Sequence, residues 1–296
     1  MAGALCGGVD RGHPRCGRRV SRRVLRTSAS GVLEMSDDTP MTLFTLEGQV
    51  RAARDGVPLI DAIRQSYLDR YRTQNGRWNA RDRSQASRLV RHAVLWQRQA
   101  PGNTCLSALG AGGRGSLDVP INDSKGCGGV MRTAPIGFLG DELDDATCYV
   151  QGAAAAALTH GHADGYAPSG VMALAVRKLL DGASWMEAIV AGLPALQVHR
   201  EATGTRQLLH EVGVALKSDD SRHMSASFGL GWVGDEALAV GLHAAATAGQ
   251  LYGAKHGLAA LPAKAVYRLD VLEPLLEGAG ELAQAATLRR FSVRLR

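Results

Sequence analysis

Long hydrophobic segments and aromatic residues are both scarce in this chain of 296 residues. No run reaches the roughly 18 consecutive apolar residues that a membrane-spanning helix needs, so the sequence predicts no membrane association. Aromatic residues make up only 5% of the chain, and alanine-rich stretches such as residues 153–157 favour closely packed helices over a β-sandwich. Alternating strand patterns and βαβ spacing are missing as well. The expected fold class is therefore all-α, in one compact multi-helix domain.

Cysteine is also rare and follows no pattern. The five cysteines are odd in number and lack Cys-x-x-Cys spacing, which implies neither a disulfide framework nor a cysteine-based zinc site. The N-terminal residues contain no apolar core of a secretory signal. We therefore expect a cytoplasmic protein.

The net charge of +6 originates at one end of the chain. Residues 1–33 contain seven arginines and one acid, Asp10, so the rest of the chain is neutral overall. We expect residues 1–33 to be a basic, disordered extension, residues 34–288 to form the helical domain, and residues 289–296 to be a basic tail. A nucleic-acid role would rest on the basic extension alone and is not expected.

Hydrophobic periodicity predicts helices along most of the chain. The segments with apolar residues near helical spacing are 58–71, 86–96, 143–158, 168–180 and 272–288. A helix opens at Pro168 or Ser169, and Ser184 with Glu187 forms a capping box for the helix after it. Residues 102–129 form a long Gly-rich stretch instead, and long ordered loops are usually functional.

Two adjacent carboxylates and three hydroxyl groups lie close together at residues 36–42, which read S-D-D-T-P-M-T. Oxygen-only ligands suit Mg²⁺, Mn²⁺ or Ca²⁺ better than zinc. The alternative is a helix N-cap, in which Ser36 or Asp38 accepts backbone N–H groups and the helix dipole favours the acid. This segment alone leaves both interpretations open.

A Gly-rich segment with two cations forms a second candidate site. Residues 122–132 read N-D-S-K-G-C-G-G-V-M-R. Glycine lets backbone N–H groups approach an anion, and the two cations add charge-assisted contacts. The lysine precedes the glycines, so this is not a Walker loop, and a flexible turn before a helix is the alternative. The candidate binding residues are Lys125, Gly126, Cys127, Gly128, Gly129 and Arg132.

Two histidines mark a third candidate site, in the sequence T-H-G-H-A-D at residues 159–164. The spacing of His160 and His162 is compatible with zinc, but no third ligand stands nearby at a familiar spacing. The alternative is a structural role at a helix end, where the dipole interacts with a histidine.

Together these segments resemble the ADP-ribosylglycohydrolase family over about residues 35–288. The resemblance rests on four segments in the family's order, which are 36–42, 125–132, 159–162 and 229–238. It implies an all-α domain with two Mg²⁺ or Mn²⁺ ions that hold the distal ribose and activate water. Ser36, Asp37 and Asp38 would then form half of the metal cluster. Residues 125–132 would hold the diphosphate or ribose, and His160 or His162 would line the pocket.

Two parts of the family pattern are missing from this chain. The C-terminal Asp-x-Asp-Ser/Thr-Thr motif, which supplies the other metal ligands, is not found, and residues 1–33 contain no counterpart of the glutamate-bearing first helix. The catalytic residue therefore stays unidentified.

The expected function is metal-dependent hydrolysis of the glycosidic bond between ADP-ribose and a protein side chain or small acceptor, with an incomplete two-metal site. The expected partner is thus an ADP-ribosylated protein or an ADP-ribose-containing small molecule. The alternatives are a non-catalytic ADP-ribose- or nucleotide-binding module and a truncated, non-functional product.

Overall fold

Helix formers and small apolar residues dominate the chain, and helices dominate its structure. A computed structural model describes residues 26–27, 33–34, 38–76, 86–98, 101–215, 227–243, 273–274 and 277–284. The α-helices in these ranges include α1 (Asp38–Asp55), α2 (Leu59–Asn75), α3 (Asn103–Gly110), α4 (Asp145–Ala157), α5 (Ala163–Leu180), α6 (Trp185–Ala195), α7 (Thr203–Ala215) and α8 (Gly234–His243). The prediction of an all-α fold is confirmed.

Shorter elements connect and extend these helices. Residues 277–284 are also helical, within the helix predicted at 272–288. Within the described ranges, 3₁₀-helices cover Arg88–Arg91, Ala93–Trp96, Val130–Arg132, Ala134–Glu142 and Leu196–Val198. The strands in the described part of the chain are the antiparallel pair β1 (Arg26–Thr27) and β2 (Leu33–Glu34). Most of the two basic ends lies outside the described residues, so the predicted boundaries at 33 and 289 stay predictions.

Helix α5 lies at the centre of the domain and is buried on nearly every side. It packs most extensively on α4, because small residues let the two backbones come close. A Cβ atom on Gly152 of α4 would lie 2.8 Å from the carbonyl oxygen of Ser169. Helices α4 and α5 thereby separate two apolar clusters, one with α1, α2 and α3 and the other with α6, α7 and α8. In the described residues, no helix is long and apolar enough to cross a bilayer.

Several predicted helices are present in the structure. Helix α2 contains nearly all of the predicted segment 58–71, and α4 lies within 143–158. The side chain of Asp144 accepts a hydrogen bond from the Thr147 N–H and caps α4. The capping box of Ser184 with Glu187 is present at the start of α6.

Three other predictions are wrong in ways that local sequence explains. Residues 86–96 form two 3₁₀-helices rather than one α-helix, because His92 adopts an extended conformation between them. The stretch 102–129 contains α3 and is not a continuous loop. Helix α5 begins at Ala163, so Pro168 lies inside it. Helix α7 was not predicted at all.

Candidate functional site

The predicted metal segment is described only from Asp38 onward, because Ser36 and Asp37 lie outside the described residues. Asp38 is the first residue of α1 and only 5% exposed. One turn later, Thr42 Oγ1 lies 2.9 Å from the Asp38 carbonyl oxygen and 3.2 Å from that of Met131. Helix α1 therefore begins directly against the 3₁₀-helix Val130–Arg132 at the end of the Gly-rich segment, and the first two candidate sites are neighbours.

The oxygen donors of this segment suit a hard divalent cation, and a carboxylate at a helix N-terminus suits the dipole equally well. Within the described residues, no group of three or more His, Cys, Asp and Glu side chains could hold a metal ion. Asp38 is the described member of the predicted ligand set, so any metal centre here would draw its other ligands from elsewhere in the chain.

The glycines of the Gly-rich loop, which we define as residues 122–129, allow close packing. None of Gly126, Gly128 and Gly129 is among the described glycines with positive φ. A Cβ atom on Gly129 would lie 2.8 Å from the carbonyl oxygen of Gly165, and one on Gly126 or Gly128 would lie 3.3 Å from His160 Nε2. The loop thus wraps closely around the junction between α4 and α5.

Asn122 fastens the start of the loop to the same junction. Its side-chain amide donates to the Thr159 carbonyl oxygen at 2.8 Å and accepts from the Gly161 N–H at 3.0 Å. The two contacts use both ends of one amide group, so they fix its orientation. The Gly-rich loop and the histidine segment are therefore one structural unit.

A second loop, which we call the Trp232 loop (residues 229–234), holds the other side of the Gly-rich loop. The Cys127 N–H donates to the Trp232 carbonyl oxygen at 3.2 Å, and the Gly234 N–H donates to the Lys125 carbonyl oxygen at 2.7 Å. These two bonds form a short antiparallel bridge, so the conformation of one loop depends on the other.

Glu236, in the first turn of α8, folds the Trp232 loop. Its Oε2 atom accepts backbone N–H bonds from Leu230 at 3.1 Å, Gly231 at 3.0 Å and Trp232 at 3.3 Å. The sequence placed Glu236 only within the family segment 229–238 and did not predict this role. Its signal was the pair of nearby glycines, since both Gly229 and Gly231 have positive φ, which other residues rarely adopt.

Lys125 extends from the loop towards two buried carboxylates. Its Nζ lies 3.5 Å from Asp164 Oδ2, and its side chain is 45% exposed. Asp164 also accepts hydrogen bonds from the backbone and hydroxyl of Thr205, both at 2.9 Å. Burial, reinforced by the Asp164 charge, raises the pKa of Asp235. Lys125 is therefore a partly exposed cation that lies beside the Asp164 carboxylate and interacts electrostatically with Asp235.

Arg132, the other predicted cation, lies in the interior with no exposed surface. Its guanidinium donates to Cys105 Sγ at 3.2 Å and to Thr159 Oγ1 at 2.7 Å, and stacks over the Tyr67 ring at 4.5 Å. Both terminal nitrogens of the guanidinium thus bond to protein groups, and the side chain does not face solvent.

The two histidines occupy different environments. His160 is 1% exposed, and burial together with the Arg132 charge lowers its pKa to about 3, so the imidazole is neutral. His162 caps α5, since its Nδ1 accepts the Asp164 N–H at 3.0 Å. His162 thus has the structural role that the sequence left open, but it caps the N-terminus of α5 and not the end of the preceding helix. His160 is the histidine that lies beside the Gly-rich loop.

The described cysteines differ in state. Cys105 and Cys148 are free thiols, and burial raises the pKa of Cys148 to about 12. Cys127, in the Gly-rich loop, is disulfide-bonded. The odd count of cysteines did not predict this pairing.

Comparison with known proteins agrees with the helical fold. The ADP-ribosylglycohydrolase family model matches residues 8–245, which is most of the chain, and the chain therefore belongs to the ADP-ribosylglycohydrolase family. A solved structure described as an ADP-ribosylglycohydrolase-related protein complex has a similar fold. The TM-score is 0.50 at 20% identity, over 85% of this chain and 82% of that chain. No significant match to a curated protein is found.

Proposed function

We propose that this chain is a metal-dependent hydrolase of the glycosidic bond between ADP-ribose and a protein side chain or small acceptor. Family membership supports a glycosidic hydrolase. The observation that carries the proposal is the contact of α1 with the Gly-rich segment, where Thr42 Oγ1 approaches the Met131 carbonyl oxygen at 3.2 Å. This contact supports the proposal, because it brings the first turn of α1, which begins at Asp38, against the segment that carries Lys125. The cytoplasmic location stays a prediction.

In this proposal Ser36, Asp37 and Asp38 hold Mg²⁺ or Mn²⁺, whose hard-oxygen preference matches one hydroxyl and two carboxylates. When bound, the metal would polarise sugar oxygens and lower the pKa of a bound water. Lys125 would bind the diphosphate, because its ammonium group is partly exposed beside backbone N–H groups of the loop. The roles of Gly126, Cys127, Gly128 and Gly129 are to bring that backbone close to the ligand.

Release of ADP-ribose from ADP-ribosylated proteins tests the proposal. The wild-type chain should release ADP-ribose with Mg²⁺ or Mn²⁺ and lose this activity with EDTA. The Asp37→Ala, Asp38→Ala double variant should lose it in both conditions, because it lacks both carboxylates. Asp55→Ala, at the far end of α1, is the matched control and should keep the activity. Equal release by wild type and double variant would overturn the metal assignment.

A non-catalytic ADP-ribose-binding module is the second candidate, and one observation favours it. The anchors of the Gly-rich loop are Asn122, Arg132 and the Trp232 loop, and none of them is a predicted metal ligand. The loop can therefore keep its shape independently of the metal segment. Under this candidate, the double variant would bind ADP-ribose as tightly as wild type, and wild type would release none.

A further inference from the structure

The carboxylate of Glu236 binds three consecutive backbone N–H groups of the Trp232 loop through one oxygen. These groups belong to Leu230, Gly231 and Trp232, at 3.1, 3.0 and 3.3 Å from Oε2. Hydrogen bonds to a charged acceptor are stronger than those between neutral groups. The side chains of Leu230 and Trp232 are 80% and 39% exposed, so their packing does little to hold the loop. The carboxylate is therefore a principal constraint on the loop conformation.

Gly229 makes room for this carboxylate. A Cβ atom on Gly229 would overlap Cδ of Glu236, and φ at Gly229 is +81°. A side chain at position 229 would therefore displace the Glu236 carboxylate and strain the backbone as well. The Trp232 loop thus has two separate requirements, an acceptor at position 236 and the absence of a side chain at position 229.

The Trp232 loop in turn holds the Gly-rich loop on both sides of Gly126. The Gly234 N–H donates to the Lys125 carbonyl oxygen at 2.7 Å, and the Cys127 N–H donates to the Trp232 carbonyl oxygen at 3.2 Å. Gly126 has no side chain that could anchor this part of the backbone by packing. The two bonds to the Trp232 loop therefore help to determine the conformation of residues 125–127, and the Glu236 carboxylate acts on that conformation from a distance.

We propose that Glu236 is a positioning residue, which sets the ligand affinity of the Gly-rich loop through the Trp232 loop and does not contact the ligand. This inference rests on the proposed function, in which residues 125–129 hold the diphosphate. A loop that is already held in its binding conformation loses less conformational entropy when the ligand binds. Removal of the carboxylate therefore weakens binding even where the fold is intact.

Amide hydrogen exchange, followed by NMR, measures this coupling without any ligand. Glu236→Ala should speed exchange of the Cys127 N–H about tenfold, the effect of losing roughly one net hydrogen bond. The Ala183 N–H donates to the Lys178 carbonyl oxygen at 2.9 Å just beyond α5 and should keep its wild-type rate, which separates a local change from global destabilisation. Glu236→Gln retains an oxygen acceptor and should keep most of the protection at Cys127.

Binding of ADP-ribose, measured by calorimetry in EDTA, tests the consequence. Glu236→Ala should weaken binding about tenfold, and Glu236→Gln should restore most of the affinity. Gly229→Ala should weaken binding to a similar degree, and the double variant should lose little more, because both changes disrupt the same contact. Glu187→Ala is the matched control and should bind like wild type. Its carboxylate accepts the Ser184 N–H at 2.7 Å at the start of α6, beyond the opposite end of α5 from the Gly-rich loop.

A wild-type exchange rate at Cys127 in Glu236→Ala would overturn the inference, as would Glu236→Ala binding ADP-ribose like wild type. A wild-type chain that binds no ADP-ribose would overturn the ligand assignment. The expected order of affinities in a chain that releases no ADP-ribose would support the inference and contradict the hydrolase proposal, so the two failures are distinguishable.

Discussion

The buried neutral state of His160 should make the protein less stable in mild acid, and the size of the effect can be worked out. Burial and the Arg132 charge lower the pKa of His160 from its ordinary value of 6.5 to about 3. As pH falls below 6.5, the unfolded chain binds a proton that the folded chain refuses. His160 therefore lowers the free energy of unfolding as pH falls from about 6.5 towards 3.

The slope approaches about 1.4 kcal/mol per pH unit in that window, so the loss between pH 7 and pH 5 is about 2 kcal/mol. Other groups contribute to the total slope. Asp235 acts in the opposite direction, because its raised pKa makes the folded state take up the proton first. His199 acts in the same direction as His160, because burial lowers its pKa too. A comparison with a variant is therefore needed to isolate His160.

The variant His160→Gln keeps a polar side chain that does not titrate. Urea unfolding at pH 7 and pH 5, followed by circular dichroism, should show wild type losing about 2 kcal/mol more than the variant across this interval. The difference between the two pH dependences cancels the contributions that both proteins share. Losses that agree within about 0.5 kcal/mol would refute the buried, neutral state of His160.

Two further predictions concern the loops around the site. Gly129→Ala should lower the free energy of unfolding by about 1–3 kcal/mol, because its Cβ would lie 2.8 Å from the Gly165 carbonyl oxygen. Gly213→Ala in α7 has nothing within 4 Å and should raise it by about 0.5 kcal/mol; equal effects in urea unfolding would contradict this. Glu236→Ala removes the acceptor of three N–H groups and should lower the unfolding free energy by about 1–3 kcal/mol. Glu236→Gln keeps an acceptor and should lose less in the same assay, so equal losses would argue against the bonds.

Local signals in the sequence were enough for much of the helical framework. The capping box at Ser184 and the segments corresponding to α2 and α4 needed only neighbouring residues, since helix caps and helical spacing act within a few positions. The sequence was less informative where two local signals, such as helical spacing and a residue that interrupts the helix, point to different structures. The 86–96 segment has helical spacing, yet an extended His92 divides it. Pro168 marked a helix start in the sequence but lies inside α5, because His162 caps the helix earlier.

The candidate site likewise has features that the sequence predicts and features that only the structure reveals. The sequence by itself determined the family, the all-α class and the order of the metal, glycine and histidine segments, because these depend on residue type and spacing. Only the tertiary structure decided that Arg132 is buried beneath the loop, that His160 is neutral and that Lys125 stays partly exposed. These states depend on desolvation and on partners far along the chain, such as Tyr67 for Arg132, and residue type alone carries no information about either.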